Sequence, residues 1–295
     1  SDEVTYWMTM NEAATFVGAG YLEGIHAPFE RVEPKTEEFV KRTCILTKHV
    51  LLAHGRAVQI IRERAKTKPV IGIAMDGKFF MPNDNTDEAI ATAMERTYES
   101  ILDCHRINWW LDPIYKGTYH PQLENIVNDE EKAVIAEQID FIGYNCYKAN
   151  NFDDDDGPNP DVNPGIPRTA MGWAITGDAL YWAVRFIHTR YEKPIMITEN
   201  GMANVDFIMS DGLVHDQQRI EFLKLYLAGL KRAANEGYPI IGYMYWSILD
   251  NFEWAEGYDK RFGLVYVNYE NQERMEKDSA IWFANYIKQQ QDEQS

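Results

Sequence analysis

A chain of 295 residues, 45% hydrophobic and 25% charged, has the makeup of a folded domain with a substantial core, which argues against a disordered or fibrous protein. Its 29 Lys and Arg face 46 Asp and Glu, and the resulting net charge of -17 repels phosphate backbones and anionic lipid surfaces. Nucleic acid and membrane are therefore not expected partners, and a neutral substrate fits better. Cys44, Cys104 and Cys146 have neither disulfide nor metal-ligand spacing, and no Asn-x-Ser/Thr site, leader or membrane span is read, so a cytoplasmic protein is expected.

The first strand is expected from Thr5 to Asn11, ending in the polar pair Asn11-Glu12. A loop with Gly18, Gly20, Gly24 and Pro28 follows. It superficially resembles a dinucleotide loop but has Glu23 where the third glycine belongs, so no nucleotide site is expected. Val40, Cys44, Thr47, Leu51, His54, Val58 and Ile61 recur in steps of three and four, giving a long helix with one inward face on which His54 is a satisfied core residue.

Val70 to Ala74 reads as a second buried strand, and a helix is expected from Thr86 to Arg106. Phe141 to Tyr147 is a third strand, followed by the Asp-, Asn- and Pro-rich loop Asn150 to Arg168. Its run Asp153 to Asp156 reads as a solvated acidic loop rather than a calcium site, because calcium loops alternate ligands with a glycine turn. A helix through Leu180, Ala183 and Ile187 leads to the apolar strand Pro194 to Gly201, whose outer end carries Glu199. Either that glutamate serves chemistry at a strand's C-terminal end, or it caps the next helix. An Asp216-capped helix stopped at Gly237, a strand from Ile240 to Trp246 and a helix from Asp278 to Gln289 complete the chain. Strand and helix alternate five times without a linker or a repeat, the signature of a parallel βα array in a single domain, residues 1–295.

Glu12 and Glu199 both follow apolar strands in the same kind of unit, so a closed barrel brings them to one rim. Paired carboxylates across a sugar are the equipment of a glycoside hydrolase, one protonated to donate and one ionised to attack, roughly 5 Å apart if configuration is retained. The 8 Trp, 17 Tyr and 13 Phe supply rings that suit a sugar cleft, although packing accounts equally well for any one of them. Trp109, Trp110 and Trp173 are read both ways. None of the seven histidines has metal-ligand spacing, and no cofactor is expected.

At this point the residues resemble a known family, glycoside hydrolase family 1, the β-glucosidases and β-galactosidases. The pieces that carry the resemblance are Thr9-Met10-Asn11-Glu12, Asp140 to Tyr147, Ile197-Thr198-Glu199-Asn200-Gly201, and Trp246 to Trp254 with Gly257-Tyr258 and Arg261 to Leu264. Trp110-Leu111-Asp112-Pro113 with Gly117 and Tyr119 is also similar. The resemblance implies a (β/α)8 TIM-barrel type α/β fold, with Glu12 as acid/base and Glu199 as nucleophile of a retaining double displacement. It further implies that Asn11, Asn145, Tyr147, Trp246, Glu253, Trp254 and Phe262 bind substrate. Asn11 would contact the 2-hydroxyl, Tyr147 would steady the nucleophile, Trp246 would stack on the sugar, and Glu253 with Trp254 would hold its far hydroxyls. Glu253 repels phosphate, so a terminal unphosphorylated β-linked glycoside is the expected substrate.

Two departures from the family are plain. Ala13 stands where proline usually follows the acid/base, which is expected to alter the placement of Glu12. The Asn-Glu strand is the family's fourth of eight yet comes first here, so only about five βα units, the fourth to eighth, are expected. Unpaired edges at Tyr6 to Met10 and Gly242 to Trp246 then favour a homo-oligomer or association with a missing N-terminal segment. The rival expectation is a catalytically silent truncated barrel acting as a sugar-binding or assembly module.

Overall fold

The computed structural model describes residues 2–150, 153–154, 157–158 and 165–292. In chain order the elements are β1 (Tyr6–Asn11), α1 (Ala13–Val17), α2 (Glu37–Arg64), β2 (Val70–Met75), α3 (Asp87–Thr97), α4 (Ile107–Lys116), α5 (Pro121–Glu124), α6 (Asp129–Ile135) and β3 (Phe141–Asn145). They continue with β4 (Asp153–Asp154), β5 (Gly157–Pro158), α7 (Ala179–Tyr191), β6 (Ile195–Asn200), α8 (Gln217–Asn235), β7 (Ile240–Tyr245), β8 (Val265–Val267), β9 (Arg274–Glu276) and α9 (Asp278–Asp292). The acidic run read as a solvated loop falls in large part outside the described residues.

The five expected strands form one sheet in the order β1-β2-β3-β6-β7, in which β2 runs parallel to both β1 and β3. Inner strands β2 and β3 are almost wholly buried, as their unbroken apolar runs require. The end strands β1 and β7 are half-buried or exposed at most positions, because each has only one neighbour in the sheet.

Packing divides the chain into two compact units. The first comprises Ser1–Asn145, Ala183–Thr198 and Tyr238–Gly242; the second comprises Cys146–Trp182, Glu199–Gly237 and Tyr243–Ser295. The division runs through the middle of β6 and β7, where no linker composition marks it.

In the first unit α2 starts as its sequence dictates. The Thr36 hydroxyl accepts from the Phe39 amide at 3.2 Å, Glu37 and Glu38 fill the first turn, and Thr43, Cys44, Thr47, Leu51, His54 and Val58 are buried. His54 is a core residue, but it is satisfied at one nitrogen only: Nδ1 lies 2.6 Å from Thr9 Oγ1 on β1, and Nε2 has no partner among the described residues. The helix expected from Thr86 to Arg106 ends early, as α3 alone, and α4 begins only at Ile107. The first of them stops at Thr97, whose hydroxyl accepts from the Phe80 amide at 3.1 Å, and the chain turns through Asp103 before α4 begins. Trp109 and Trp110 serve packing. Each is buried, and their indoles donate to Thr47 Oγ1 at 2.8 Å and to the Cys104 carbonyl at 2.7 Å.

In the second unit Asp216 stands at the start of α8 but does not cap it through its side chain. Its carboxylate is taken by Arg219 and by Ser279, which donates its amide at 2.8 Å and its hydroxyl at 2.6 Å. The buried cluster continues: Arg219 and Lys277 each reach Asp206 at 2.6 Å, Lys277 meets Asp250 at 2.8 Å, and Arg261 meets Asp250 at 2.6 Å. Three carboxylates thus balance three cations. The cluster ties α8 and the start of α9 to the loop that follows β7.

Candidate active site

In the first unit the chain leaves β1 at Asn11 and turns sharply. Glu12 has φ 51° and ψ 57°, the left-handed region that a residue with a Cβ seldom occupies, and α1 starts directly behind it. Three contacts hold the turn. The Glu12 amide donates to the Ala74 carbonyl at 3.0 Å, the Phe16 amide donates to the Glu12 carbonyl at 3.0 Å, and Asn145 Nδ2 donates to Glu12 Oε1 at 2.9 Å. Asn145 is the hub. Buried at the end of β3, it also donates to Asn11 Oδ1 at 3.1 Å, and its own Oδ1 accepts the Thr198 hydroxyl at 2.6 Å. That last bond fixes the amide so that its NH2 group faces the carboxyl. Ala13, in place of the family's usual proline, is fully buried at the first position of α1.

In the second unit the half-buried Glu199 stands next to the end of β6. The Tyr147 hydroxyl donates to its Oε2 at 2.6 Å, a short bond to a carboxylate and therefore a strong one. Tyr147 is itself fixed: its carbonyl accepts the Tyr226 hydroxyl at 2.9 Å, and its ring packs with Trp173 at 5.3 Å and Phe262 at 6.0 Å between centroids. Trp173 thus belongs with the residues around Glu199. The strand end is locked by the Cys146 amide on the Glu199 carbonyl at 2.9 Å and by the Trp246 amide on the Asn200 carbonyl at 2.9 Å. Gly201 is dictated here, since a Cβ would lie 1.9 Å from the Trp246 carbonyl oxygen.

The peptide between Trp246 and Ser247 is cis, the Trp246 side chain is half-buried, and Glu253 Oε2 is buried with no hydrogen-bond partner among the described residues. Burial pushes the Glu253 carboxyl above the usual range; the Trp246 side chain pulls it back, and the charges of Glu199 and Glu256 push it up further. Phe262 is buried, and its carbonyl accepts the Ser247 amide at 3.3 Å. Trp254 follows with 64% of its surface exposed. The first unit therefore gathers Asn11, Glu12 and Asn145, and the second gathers Tyr147, Glu199, Trp246, Glu253 and Phe262. Among the described residues no group of His, Cys, Asp and Glu could hold a metal ion, and no helix is long and apolar enough to cross a membrane.

Comparison with known proteins supplies the frame for these two groups. Residues 1–292 match the family described as glycosyl hydrolase family 1. The chain belongs to that family. It is similar to β-glucosidase A of Thermotoga maritima, at 38% identity over 97% of this chain and 64% of the relative. It is also similar to β-glucosidase 26 of Oryza sativa, at 33% identity over 97% of this chain and 61% of that protein. A solved structure of the Thermotoga maritima family 1 β-glucosidase superposes with a TM-score of 0.78 and 36% identity, over 97% of this chain and 64% of that one. The same enzyme in complex with glucoimidazole gives a TM-score of 0.79. The chain spans about 64% of the length of the Thermotoga relatives it matches. As a family 1 chain it has the α/β fold of the (β/α)8 type, with five of the parallel strands.

Some of the residues that build the site lie outside the family motifs. Asp76 and Thr15 sit beside the Glu12 turn, and Asp206, Asp216, Arg219 and Lys277 lie buried in the cluster that, with Asp250 and the half-buried Arg261 of the motifs, ties down the loop bearing Glu253. Asp76 was accessible to the rule that singled out Glu12 and Glu199, since it too directly follows an apolar strand. The cluster gave no such signal, because isolated charges on helices and loops read as solvated.

Proposed function

We propose that this chain is a retaining β-glycosidase acting on terminal unphosphorylated β-D-glucosides, galactosides or fucosides, with Glu199 as nucleophile and Glu12 as acid/base. In the first step Glu12 gives its proton to the departing glycosidic oxygen while Glu199 attacks the anomeric carbon, forming a covalent glycosyl ester. In the second step Glu12 takes a proton from water, which displaces Glu199 with net retention. The reading rests above all on the Tyr147 hydroxyl at 2.6 Å from Glu199, a donor that aims the carboxylate. Support also comes from Asn145, whose donated bond orients Glu12, and from relatives that carry the name β-glucosidase.

Asn11, Trp246, Glu253, Trp254 and Phe262 are proposed to bind the sugar. Burial makes Glu253 a carboxyl that disfavours further negative charge, which fits a neutral hydroxylated ligand better than a phosphorylated one. A 2-fluoro glucoside should trap the first intermediate, with the label on the peptide that contains Glu199 in mass spectrometry. Label on any other residue refutes the assignment.

Assembly belongs to the same proposal. On the end strand β1, Tyr6 and Met8 are 55% and 42% exposed, and we expect this edge to pair with another chain. Light scattering should give a mass above that of the 34.2 kDa chain, reduced by Met8→Lys. A monomer at all concentrations contradicts association.

A further inference from the structure

The turn that carries Glu12 lacks the usual means of holding a helix start. The first amides of a helix have no intrahelical acceptor and are ordinarily met by the side chain at the N-cap. Here that position is Glu12, which makes no capping bond, because Asn145 already engages its carboxyl at 2.9 Å. The same residue is held in the left-handed region, which persists only where the surroundings enforce it. A tether comes instead from the neighbouring strand: Asp76, the first residue beyond β2, accepts the Thr15 hydroxyl on its Oδ2 at 2.6 Å, while its buried Oδ1 has no hydrogen-bond partner among the described residues.

We propose that Asp76 is a positioning residue for Glu12: acting through Thr15, it clamps the first turn of α1 and so fixes the direction of the Glu12 carboxyl. The proposal rests on the acid/base reading of Glu12. Burial pushes the Asp76 carboxyl up, and it is held down by the Thr15 hydroxyl, by its own amide, by His105 and by the Ala14 amide. Asp76 does not touch the reacting atoms in this assignment. It matters only where the proton delivered by Glu12 matters.

That restriction supplies the test. Departure of 2,4-dinitrophenolate needs no proton, whereas departure of phenol or an alcohol does. For the full chain, kcat/KM on phenyl β-glucoside should fall about tenfold in Asp76→Ala and a few-fold in the near-isosteric Thr15→Val, while the value on the dinitrophenyl glucoside changes less than about twofold. Equal losses on both substrates overturn the proposal. Amide hydrogen exchange is the arm that needs no turnover: exchange at residues 13–17 should quicken about tenfold in both variants, and unchanged exchange overturns the proposal as well. Glu12→Gln is the reference. If it treats the two substrates alike, the acid/base reading of Glu12 fails, and the exchange data still decide whether Asp76 holds the turn.

Discussion

Tyr147 gives Glu199 a phenolic hydrogen bond at 2.6 Å while its ring is wedged against Trp173 and Phe262, so the hydroxyl can be removed without moving the ring. Tyr147→Phe should leave the melting temperature nearly unchanged and lower kcat/KM by about 10- to 100-fold, the value of a charge-assisted bond of roughly 1.5–3 kcal/mol. A variant with full activity shows that the bond does not act on the reaction; steady-state kinetics beside a melting curve decides it. The positions of Glu12, Glu199 and Tyr147 could be placed from the sequence because each lies at or within two residues of the end of a strand, where a buried sheet opens to polar groups. The role of Asn145 was not legible. Its amide bonds Asn11, Glu12 and Thr198, contacts that only folding brings together.

At the scale of elements, α2 was legible from its three-and-four spacing and its Thr36 start. The end of α3 at Thr97 was not, because the residues after it keep a helical composition, while the Thr97 hydroxyl is engaged by the Phe80 amide in a tertiary bond. Nor were β8 and β9, strands of three residues each, too short to show a period. The packing of α2 on β1 carries a pH dependence. Burial lowers His54 from 6.5 to about 4, so between those values the unfolded chain binds a proton that the folded one refuses. The stability this supplies is whole above pH 6.5 and is lost as the pH falls towards 4, by on the order of 3 kcal/mol. Urea unfolding at pH 7, 6, 5 and 4 should show this decline. His54→Gln, which still offers Thr9 an acceptor but does not titrate, should flatten it; an unchanged slope would place the effect elsewhere.

For the whole molecule, the parallel βα array and the family were legible along almost the full chain, since each depends on local runs of residues. The division into two units was not, because it passes through β6 and β7 rather than between elements. The charge pattern was misleading in one respect. A net charge of -17 suggests that ionic groups lie outside, yet the second unit buries Arg219, Lys277, Asp206, Asp216 and Asp250 almost completely. Burial alone would raise Asp206, but Arg219 and Lys277 outweigh it and hold its carboxyl below the usual range. Lys277 is lowered by burial and by Arg219, against the pull of Asp206 and Asp250. Such a cluster is costly to break, because the charges left behind remain desolvated.

Lys277→Met should therefore lose about 3–5 kcal/mol in urea unfolding, whereas Lys66→Ala, which removes an exposed pair with Asp2, should leave the unfolding midpoint nearly unchanged. Adding Asp206→Asn to Lys277→Met returns the cluster to charge balance, two carboxylates against two cations, and should recover part of the loss. If the double variant is less stable than the single one, the cluster is held by the geometry of its hydrogen bonds rather than by balanced charge. In that case neutral replacements of matching shape, not matching charge, are the ones that preserve the loop bearing Glu253.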